Sequence, residues 1–312
     1  MHRAFSPWSA SRRTPAFCEI ASDACLYETA SQCSAAKGAG VSQCVVGYSV
    51  ATAHTHIYVW DRLVLSAGPG RENSSHRHFG AILVCAPDAP MTVAAREAPV
   101  ATQAALIAPS AWHRVDCRNS RAATLLIGPD HPWFCYVKPL LDGKPIVPLD
   151  LGKLANAPIP WDALFDGTVA CDAARESARQ VLQAFGGVSV APHRLDERIE
   201  AVLQLLREDL ARTPRIAELS QRSGLSAFTL MRRFKRELGV RIGEYVLWRR
   251  LMTALALVDG RSTIAEIALR TGFYDQAHLT RTVRRMVELA PSLINDFNQT
   301  RVHVCGEVTR DW

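Results

Sequence analysis

A duplicated nine-residue segment constrains the fold of this chain more than any other feature. The segment IAELSQRSG at 216–224 recurs as IAEIALRTG at 264–272, with Ile, Ala, Glu, Arg and Gly at matching places. A single repeat of this kind predicts two copies of one supersecondary unit. In each copy the pattern predicts a short amphipathic helix, a turn at Gly224 or Gly272, and a second helix, which is the helix-turn-helix arrangement.

The second helix of each unit has two chemically different faces. In SAFTLMRRFKREL the apolar stripe is Leu230, Phe234 and Leu238, and in DQAHLTRTVRRMV it is Leu279, Val283, Met286 and Val287. The opposite faces carry Phe228, Thr229, Arg232 and Arg236 in the first helix, and Ala277, His278, Arg281 and Arg285 in the second, with Gln276 at its start. One such face alone is typical of a solvated basic surface, but the same layout in two repeats favours DNA binding. Thr263 and Glu266 predict a capping box at the start of the second unit.

Positive charge is concentrated in the same part of the chain. From Arg194 to the end there are 20 Lys and Arg residues against 15 Asp and Glu residues, whereas the preceding residues hold 16 against 15. Every basic residue of that C-terminal part except Lys235 is arginine, which is suited to bidentate contact with phosphates and guanine edges.

The residues before the repeat follow other patterns of apolar and polar residues. Residues 1–42 show little periodicity and predict a poorly ordered extension. Short apolar stretches broken by Gly and Pro follow up to about residue 129 and predict an antiparallel β sandwich or barrel, and helical spacing follows at 162–185. The expected fold is therefore α+β. The expected divisions are a sheet-rich unit with a following helical segment at 43–188, a linker at 189–194, a helical unit at 195–300 and a tail at 301–312.

Composition predicts a cytoplasmic protein. The N-terminus has no continuous apolar segment of the signal-peptide type, and the chain has no apolar run of about 18 residues. The number of cysteines is odd, and no two form a C-x-x-C pair. A cytoplasmic setting would keep their thiols reduced, and most of them are expected to be buried and inert. These cysteines are Cys18, Cys25, Cys33, Cys44, Cys85, Cys117, Cys135, Cys171 and Cys305.

The C-terminal residues resemble the AraC/XylS family of bacterial transcription regulators. The resemblance covers Leu195 to Asn295 and includes the duplicated motif, the connecting segment EYVLWRRLMTALALV, Gly-Phe after the second turn, and Pro291. It implies sequence-specific binding to double-stranded promoter DNA, with partners in RNA polymerase, a small-molecule effector and a second copy of the chain, and with activation as the commoner mode. The base-reading positions that it implies are Phe228, Met231, Arg232, Gln276, Ala277, His278 and Arg281, beside Arg236 and Arg285 on the same faces.

Members of this family commonly carry a cupin-like sensing domain, and the segment GRENSSHRH at 70–78 fits the first cupin pattern. His76 and His78 alternate along an extended segment and share one face, and PSAWH ends a reduced second pattern at His113. These three histidines, with Trp60 and Trp112, are the expected effector-binding residues. The resemblance thus implies a cupin-like β-barrel with dimerisation helices at 43–188, which senses the effector, and an all-α DNA-binding domain of two helix-turn-helix units at 195–300. No cofactor is expected, although the three histidines could hold a divalent metal.

Two other functions stay open from the sequence. A metal-dependent cupin enzyme would use His76, His78 and His113, but cupin enzymes also use a carboxylate where this chain has Ile82 and Leu83, and such an enzyme leaves the basic repeat unexplained. A thiol-based redox or electrophile sensor would use the cysteines with the same DNA-binding domain. Dimerisation is assigned to 162–185, because Leu164, Val169, Leu182 and Phe185 have no other evident partner.

Overall fold

The computed structural model describes residues 54–95, 98–186, 195–208, 210–212, 215–257, 262–287 and 300–305. A sheet-rich region is followed by a helical region, so the α+β class is confirmed. Within these residues the strands are β1 Thr55–Trp60, β2 Leu63–Pro69, β3 Ala81–Cys85, β4 Met91–Ala94, β5 Val100–Thr102, β6 Ala104–Ile107, β7 Arg114–Asp116, β8 Arg121–Ile127, β9 Ile146–Leu149 and β10 Thr300–Val304.

The strands form two sheets. The larger has seven strands in the order β10-β1-β2-β8-β3-β6-β9, and the smaller has three in the order β5-β4-β7. Pairing is antiparallel except between β1 and β10, which are parallel. In the part of the chain that the structure describes, the large sheet does not close on itself, so the expected closed barrel is not confirmed.

Alternation along the strands builds a core on each face of the large sheet. In β1, Ile57 and Val59 belong to one core, which continues into the helical region, while Tyr58 and Trp60 belong to the other. Successive side chains of a strand point to opposite faces, so a strand buried on both sides reads as a continuous apolar run.

The α-helices of the described residues are α1 Phe134–Leu141, α2 Trp161–Phe165, α3 Cys171–Gly186, α4 Glu197–Glu208, α5 Ile216–Ser223, α6 Ala227–Leu238, α7 Ile242–Ala256, α8 Ile264–Arg270 and α9 Gln276–Val287. None of these helices combines the length and the hydropathy that crossing a bilayer requires.

The segment predicted to form a dimer, residues 162–185, packs against its own chain. It comprises most of helices α2 and α3. Leu164, Leu182 and Phe185 are buried in the core between the large sheet and α1–α3, and Val169 packs against that core. The apolar side chains that suggested a dimer interface are therefore already covered. The expectation that these side chains lack a partner is wrong, because they pack against the sheet and its helices, whereas dimerisation itself stays a prediction.

The end of the described chain returns to the sheet. Residues 300–304 form β10 beside β1, and Cys305 is joined by a disulfide to Cys171 at the start of α3, 134 residues earlier. The expectation of a tail from residue 301 missed this strand, and the expectation of reduced thiols is wrong for this pair. Cys85, Cys117 and Cys135 are buried free thiols, and the remaining cysteines and residues 1–42 lie outside the described residues.

Candidate nucleic-acid interface and effector cavity

The first helix-turn-helix unit consists of α5, a turn at Gly224 and α6. Gly224 adopts a φ of 64°, which favours glycine, and the Ser226 side chain caps α6 by accepting a hydrogen bond from the Thr229 amide. Leu230, Phe234 and Leu238 are fully buried, as the apolar stripe predicts. The opposite face of α6 is consequently turned to solvent.

That outer face of α6 contains the residues expected to read DNA. Phe228 is 70% exposed and Met231 is 48% exposed, which is unusual for side chains of this size. Arg232 and Arg236 are exposed beside them, and the Arg232 guanidinium lies 6.0 Å from the centre of the Phe228 ring. The helix therefore offers apolar and cationic groups together on one accessible surface.

The second unit repeats the arrangement with α8, a turn at Gly272 and α9. The predicted capping box is present: Thr263 Oγ1 accepts from the Glu266 amide, and the Glu266 carboxylate accepts from the Thr263 amide. At the start of α9 the Asp275 carboxylate accepts a 2.6 Å hydrogen bond from the His278 amide.

On α9, Gln276, Ala277 and Arg281 are exposed, whereas His278 is half-buried with its ring 5.2 Å from that of Phe273. Arg285 lies in α9, but its side chain is outside the described part of the structure. Within the described residues, Arg232 and Arg281 take part in no ion pair, so both guanidinium groups are available to phosphates or base edges.

Arg250 fixes the connecting helix α7 to the chain between α4 and α5. This buried side chain of α7 donates from Nε to the Leu210 carbonyl at 2.6 Å and from Nη2 to the Ala211 carbonyl at 3.1 Å. Gly272 lies against the same place, because a Cβ there would approach the Ala211 Cα to 2.8 Å. The buried Arg250 guanidinium and Gly272 of the second unit therefore both pack against Leu210 and Ala211, between α4 and α5.

A cavity of about 180 Å³ lies against the inner face of the large sheet. Its apolar wall comes from four neighbouring strands, and its polar lining includes Arg71, His76 and His78. Leu255 of α7, a residue of the helical region, also lines it. The four strand residues are Ile57, Val64, Ile82 and Leu126.

The three predicted histidines do come together beside this cavity. The backbones of His76 and His113 pair through two hydrogen bonds of 2.9 Å, and the Nε2 atoms of His76 and His78 are 2.7 Å apart. One ligand atom from each of the three rings lies within 4.8 Å of the others. Burial, followed by the neighbouring His76, lowers the pKa of His78 well below its usual range and that of His113 to about 4, so both rings are neutral at pH 7.

Backbone carbonyls fix the tautomers of two of these rings. His76 Nδ1 lies 2.8 Å from the Ser74 carbonyl and His113 Nδ1 lies 2.9 Å from the Ala111 carbonyl. A carbonyl only accepts, so both Nδ1 atoms carry the proton and both Nε2 atoms present a lone pair. The fourth cupin position holds Ile82, which lines the cavity, and Leu83, which faces the other core, so neither supplies a carboxylate.

The two tryptophans predicted to bind the effector are not among the residues that line this cavity. Trp60 occupies the core between the large sheet and its covering helices, because it alternates with the inward-facing Val59. Trp112 is half-exposed, and the Arg77 guanidinium lies 5.6 Å from its ring centre. Sequence reasoning missed Leu255, since a wall residue from a distant helix leaves no local signal, and it passed over Arg71, although that residue belongs to GRENSSHRH.

Polar contacts also join the helical region to the sheet-rich region. The buried Asp130 carboxylate accepts a 2.7 Å hydrogen bond from the Tyr245 hydroxyl and pairs with Arg207 at 3.1 Å. Arg249 pairs with Asp61 at 2.6 Å, which lowers the pKa of that carboxyl against the opposing effect of its burial. Helices α4 and α7 are thus held to the loops at the ends of β1 and β8.

Together these features define a protein with two tandem helix-turn-helix units attached to a sheet-rich region that contains a cavity. A family model described as a helix-turn-helix domain matches residues 219–295. The multiple antibiotic resistance protein MarA of Escherichia coli is 34% identical over 95 residues, which are 30% of this chain and 74% of MarA. A putative AraC-like transcription regulator of Streptomyces lividans is 31% identical over 97 residues, 31% of this chain and 32% of that protein.

Among solved structures, a single-residue variant of apo ToxT from Vibrio cholerae superposes with a TM-score of 0.53 and 12% identity, covering 75% of this chain and 97% of that chain. This similarity concerns the fold alone and extends over both the sheet-rich and the helical region. The chain belongs to the AraC/XylS family of transcription regulators. The expectation from the duplicated motif is confirmed.

Proposed function

We propose that this protein is a transcription activator whose binding to promoter DNA is controlled by a small molecule held in a cupin-like sensing domain. The observation that carries the proposal is the position of Leu255, which belongs to α7 between the two helix-turn-helix units and also lines the cavity. A molecule in the cavity would touch the DNA-binding region directly. A contact that differs between two arrangements of that region is sufficient to shift their populations.

The cavity restricts the effector's size and chemistry. A cavity of about 150 Å³ is known to accept benzene, so 180 Å³ suits a molecule of one ring or a short chain. Ile57, Val64 and Leu126 favour an apolar body. Arg71 is a cationic residue of the wall that has no carboxylate partner among the described residues, which favours one acidic group. Small aromatic or short-chain monocarboxylic acids are therefore the proposed class.

DNA binding is assigned to the outward faces of α6 and α9, each entering a major groove, with contacts to RNA polymerase following on the promoter. The test combines a thermal-shift screen of benzoate, related aromatic acids and short-chain acids with DNA-binding measurements on the full chain. An acid that raises the melting temperature and changes DNA affinity supports the proposal. Transcription with purified RNA polymerase then measures whether the effect is activation.

Leu255→Ala and Leu251→Ala form a matched pair for the coupling step. Both leucines are buried in α7, and truncation of either costs about 2–5 kcal/mol of stability, but only Leu255 lines the cavity. The acid should still bind the Leu255→Ala protein while its effect on DNA affinity shrinks, and the Leu251→Ala protein should keep the full effect. Equal responses in both variants would contradict coupling through Leu255.

A further inference from the structure

The histidine cluster formed by His76, His78 and His113 has the donor geometry of a metal site. One ligand nitrogen from each ring lies within 4.8 Å of the others, and the Nδ1 atoms of His76 and His113 donate to backbone carbonyls, the outer contacts that orient metal-bound histidines. Four-coordinate Zn²⁺ with bonds of about 2.0–2.1 Å places its nitrogen ligands about 3.3 Å apart. Opening the 2.7 Å pair of His76 and His78 to that spacing needs a small ring rotation.

The ligand set also selects the kind of ion. Three neutral imidazoles suit Zn²⁺ and its transition-metal neighbours, whereas Mg²⁺ and Ca²⁺ require oxygen ligands. Ile82 at the fourth cupin position lines the cavity without offering an oxygen. Three protein ligands would leave one coordination position open to a further ligand, and His76 and His78 line the cavity.

The third histidine, His78, contacts His76. In its Nδ1–H tautomer His76 presents a lone pair on Nε2 to His78, so His78 must carry its proton on Nε2 to make the 2.7 Å hydrogen bond between them. The Nδ1 atom of His78 is then an acceptor, and this buried atom has no hydrogen-bond partner of normal geometry among the described residues.

We propose that His76, His78 and His113 bind one divalent transition-metal ion of the Zn²⁺ class through their Nε2 atoms, and that this ion forms part of the sensing site described above. This proposal adds a metal ion to the sensing site of the proposed function. Binding of the ion does not depend on that function, whereas the ion's role in sensing does. Metal binding at His78 releases the Nε2 proton to solvent while Nδ1 takes one up, so the ring stays neutral.

The experiment titrates the metal-free full chain with Zn²⁺ alone. Cysteines also bind zinc, so the titration is repeated on a variant in which Cys18, Cys25, Cys33 and Cys44 are serine. We expect one equivalent to bind in both proteins. His113→Gln should weaken binding by at least about tenfold, the loss that even outer contacts of a metal site cause. His131→Gln, a buried histidine outside the cluster, is the matched control and should bind as the wild type does.

Two further measurements do not depend on the folding of a histidine variant. Co²⁺ bound to the wild-type chain should give visible ligand-field bands of low-symmetry coordination without the near-ultraviolet thiolate charge-transfer band. Zn²⁺ should also slow amide hydrogen exchange at His76 and His113, whose paired backbones carry two of the three ligands. Binding that disappears in the cysteine variant, a thiolate band, or affinity unchanged by His113→Gln overturns the metal site.

Failure of the metal site and failure of the proposed function can be told apart. DNA affinity is measured with and without benzoate, or the best acid of the screen, in the presence of a chelator. If the acid still changes DNA affinity while no metal binds at the histidines, the metal inference alone falls. If one Zn²⁺ binds at the histidines but no acid changes DNA affinity, the metal site stands and the acid-sensing proposal falls.

Discussion

The Tyr245 hydroxyl donates a 2.7 Å hydrogen bond to the buried Asp130 carboxylate and so joins α7 to the loop after β8. Asp130 has no exposed side-chain surface, and it also pairs with Arg207 at 3.1 Å. Burying this carboxylate is favourable only while its partners remain. The contact joins the region that contains the cavity to the region that binds DNA.

Tyr245→Phe should lower the free energy of unfolding by about 1.5–3 kcal/mol, because a hydrogen bond to a charged group is lost in a buried place. Tyr58→Phe is the matched control, since the Tyr58 hydroxyl is equally buried and has no hydrogen-bond partner in the described structure. The control should leave stability unchanged or raise it slightly. Urea unfolding of both variants measures the difference, and equal losses would contradict the importance of the contact with Asp130.

Arg232→Ala should weaken binding to the natural DNA site by about 1–3 kcal/mol if its guanidinium contacts a guanine edge, and preference should relax at one base pair. Arg281→Ala should cost less, because the exposed Phe228 and Met231 accompany Arg232 on α6, whereas His278 beside Arg281 on α9 is half-buried. Arg179→Ala is the control, since Arg179 pairs with Glu176 on α3, outside the helix-turn-helix units. Equal, sequence-independent losses at Arg232 and Arg281 would contradict a dominant first unit.

His131 should make the protein sensitive to acid. Burial, followed by the charge of Arg62, lowers its pKa to about 4 from 6.5, and its Nδ1 accepts a 3.1 Å hydrogen bond from the Trp133 amide. The unfolded chain therefore binds more protons than the folded one between pH 6.5 and 4. The contribution of His131 to the free energy of unfolding is fully present above pH 6.5, the pKa of its ring in the unfolded chain. It decreases on acidification by up to about 1.4 kcal/mol per pH unit.

His131→Asn keeps an acceptor for the Trp133 amide and removes the titration. Unfolding free energies of the two proteins, measured at several pH values from about 7 down to about 4, should therefore converge on acidification. His78 and His113 have lowered pKa values as well and are present in both proteins, so the difference between the two curves isolates His131. Parallel curves would show that His131 does not titrate in this range.

The helical region could be predicted from the sequence because its signals are local. The capping box of Thr263 and Glu266 and the buried stripe of Leu230, Phe234 and Leu238 each fall within one helix or its first turn, and all are found as predicted. His113 lies far along the chain from His76 and His78, so predicting that the three histidines come together required the resemblance to the cupin pattern.

Contacts between distant segments could not be predicted in the same way. The pairing of β10 with β1, the bond between Cys171 and Cys305 and the position of Leu255 in the cavity wall each depend on how separate elements pack. No residue pattern within a short window records such packing. The fold class was therefore accessible from the sequence, whereas the connection between cavity and DNA-binding region was not.

The disulfide between Cys171 and Cys305 should make stability depend on redox conditions. It closes a loop across 134 residues of sequence and holds the end of β10 near the start of α3. Cross-linking a chain over such a distance restricts the unfolded state, and native disulfides typically contribute about 2–4 kcal/mol. Cys305→Ser should therefore lower the unfolding free energy of the oxidised protein by that amount, and dithiothreitol should lower the wild type to the same level.

Cys135→Ser provides the matched control for this measurement, because Cys135 is a buried free thiol of α1 in the same sheet-and-helix region. That variant should keep the full response to dithiothreitol, since its disulfide is intact. Non-reducing peptide mapping should recover one cross-linked peptide pair containing Cys171 and Cys305. Stability of the wild type that is unchanged by dithiothreitol, with the thiols shown to be reduced, would mean that the parallel pairing of β10 with β1 holds this end of the chain without the covalent bond.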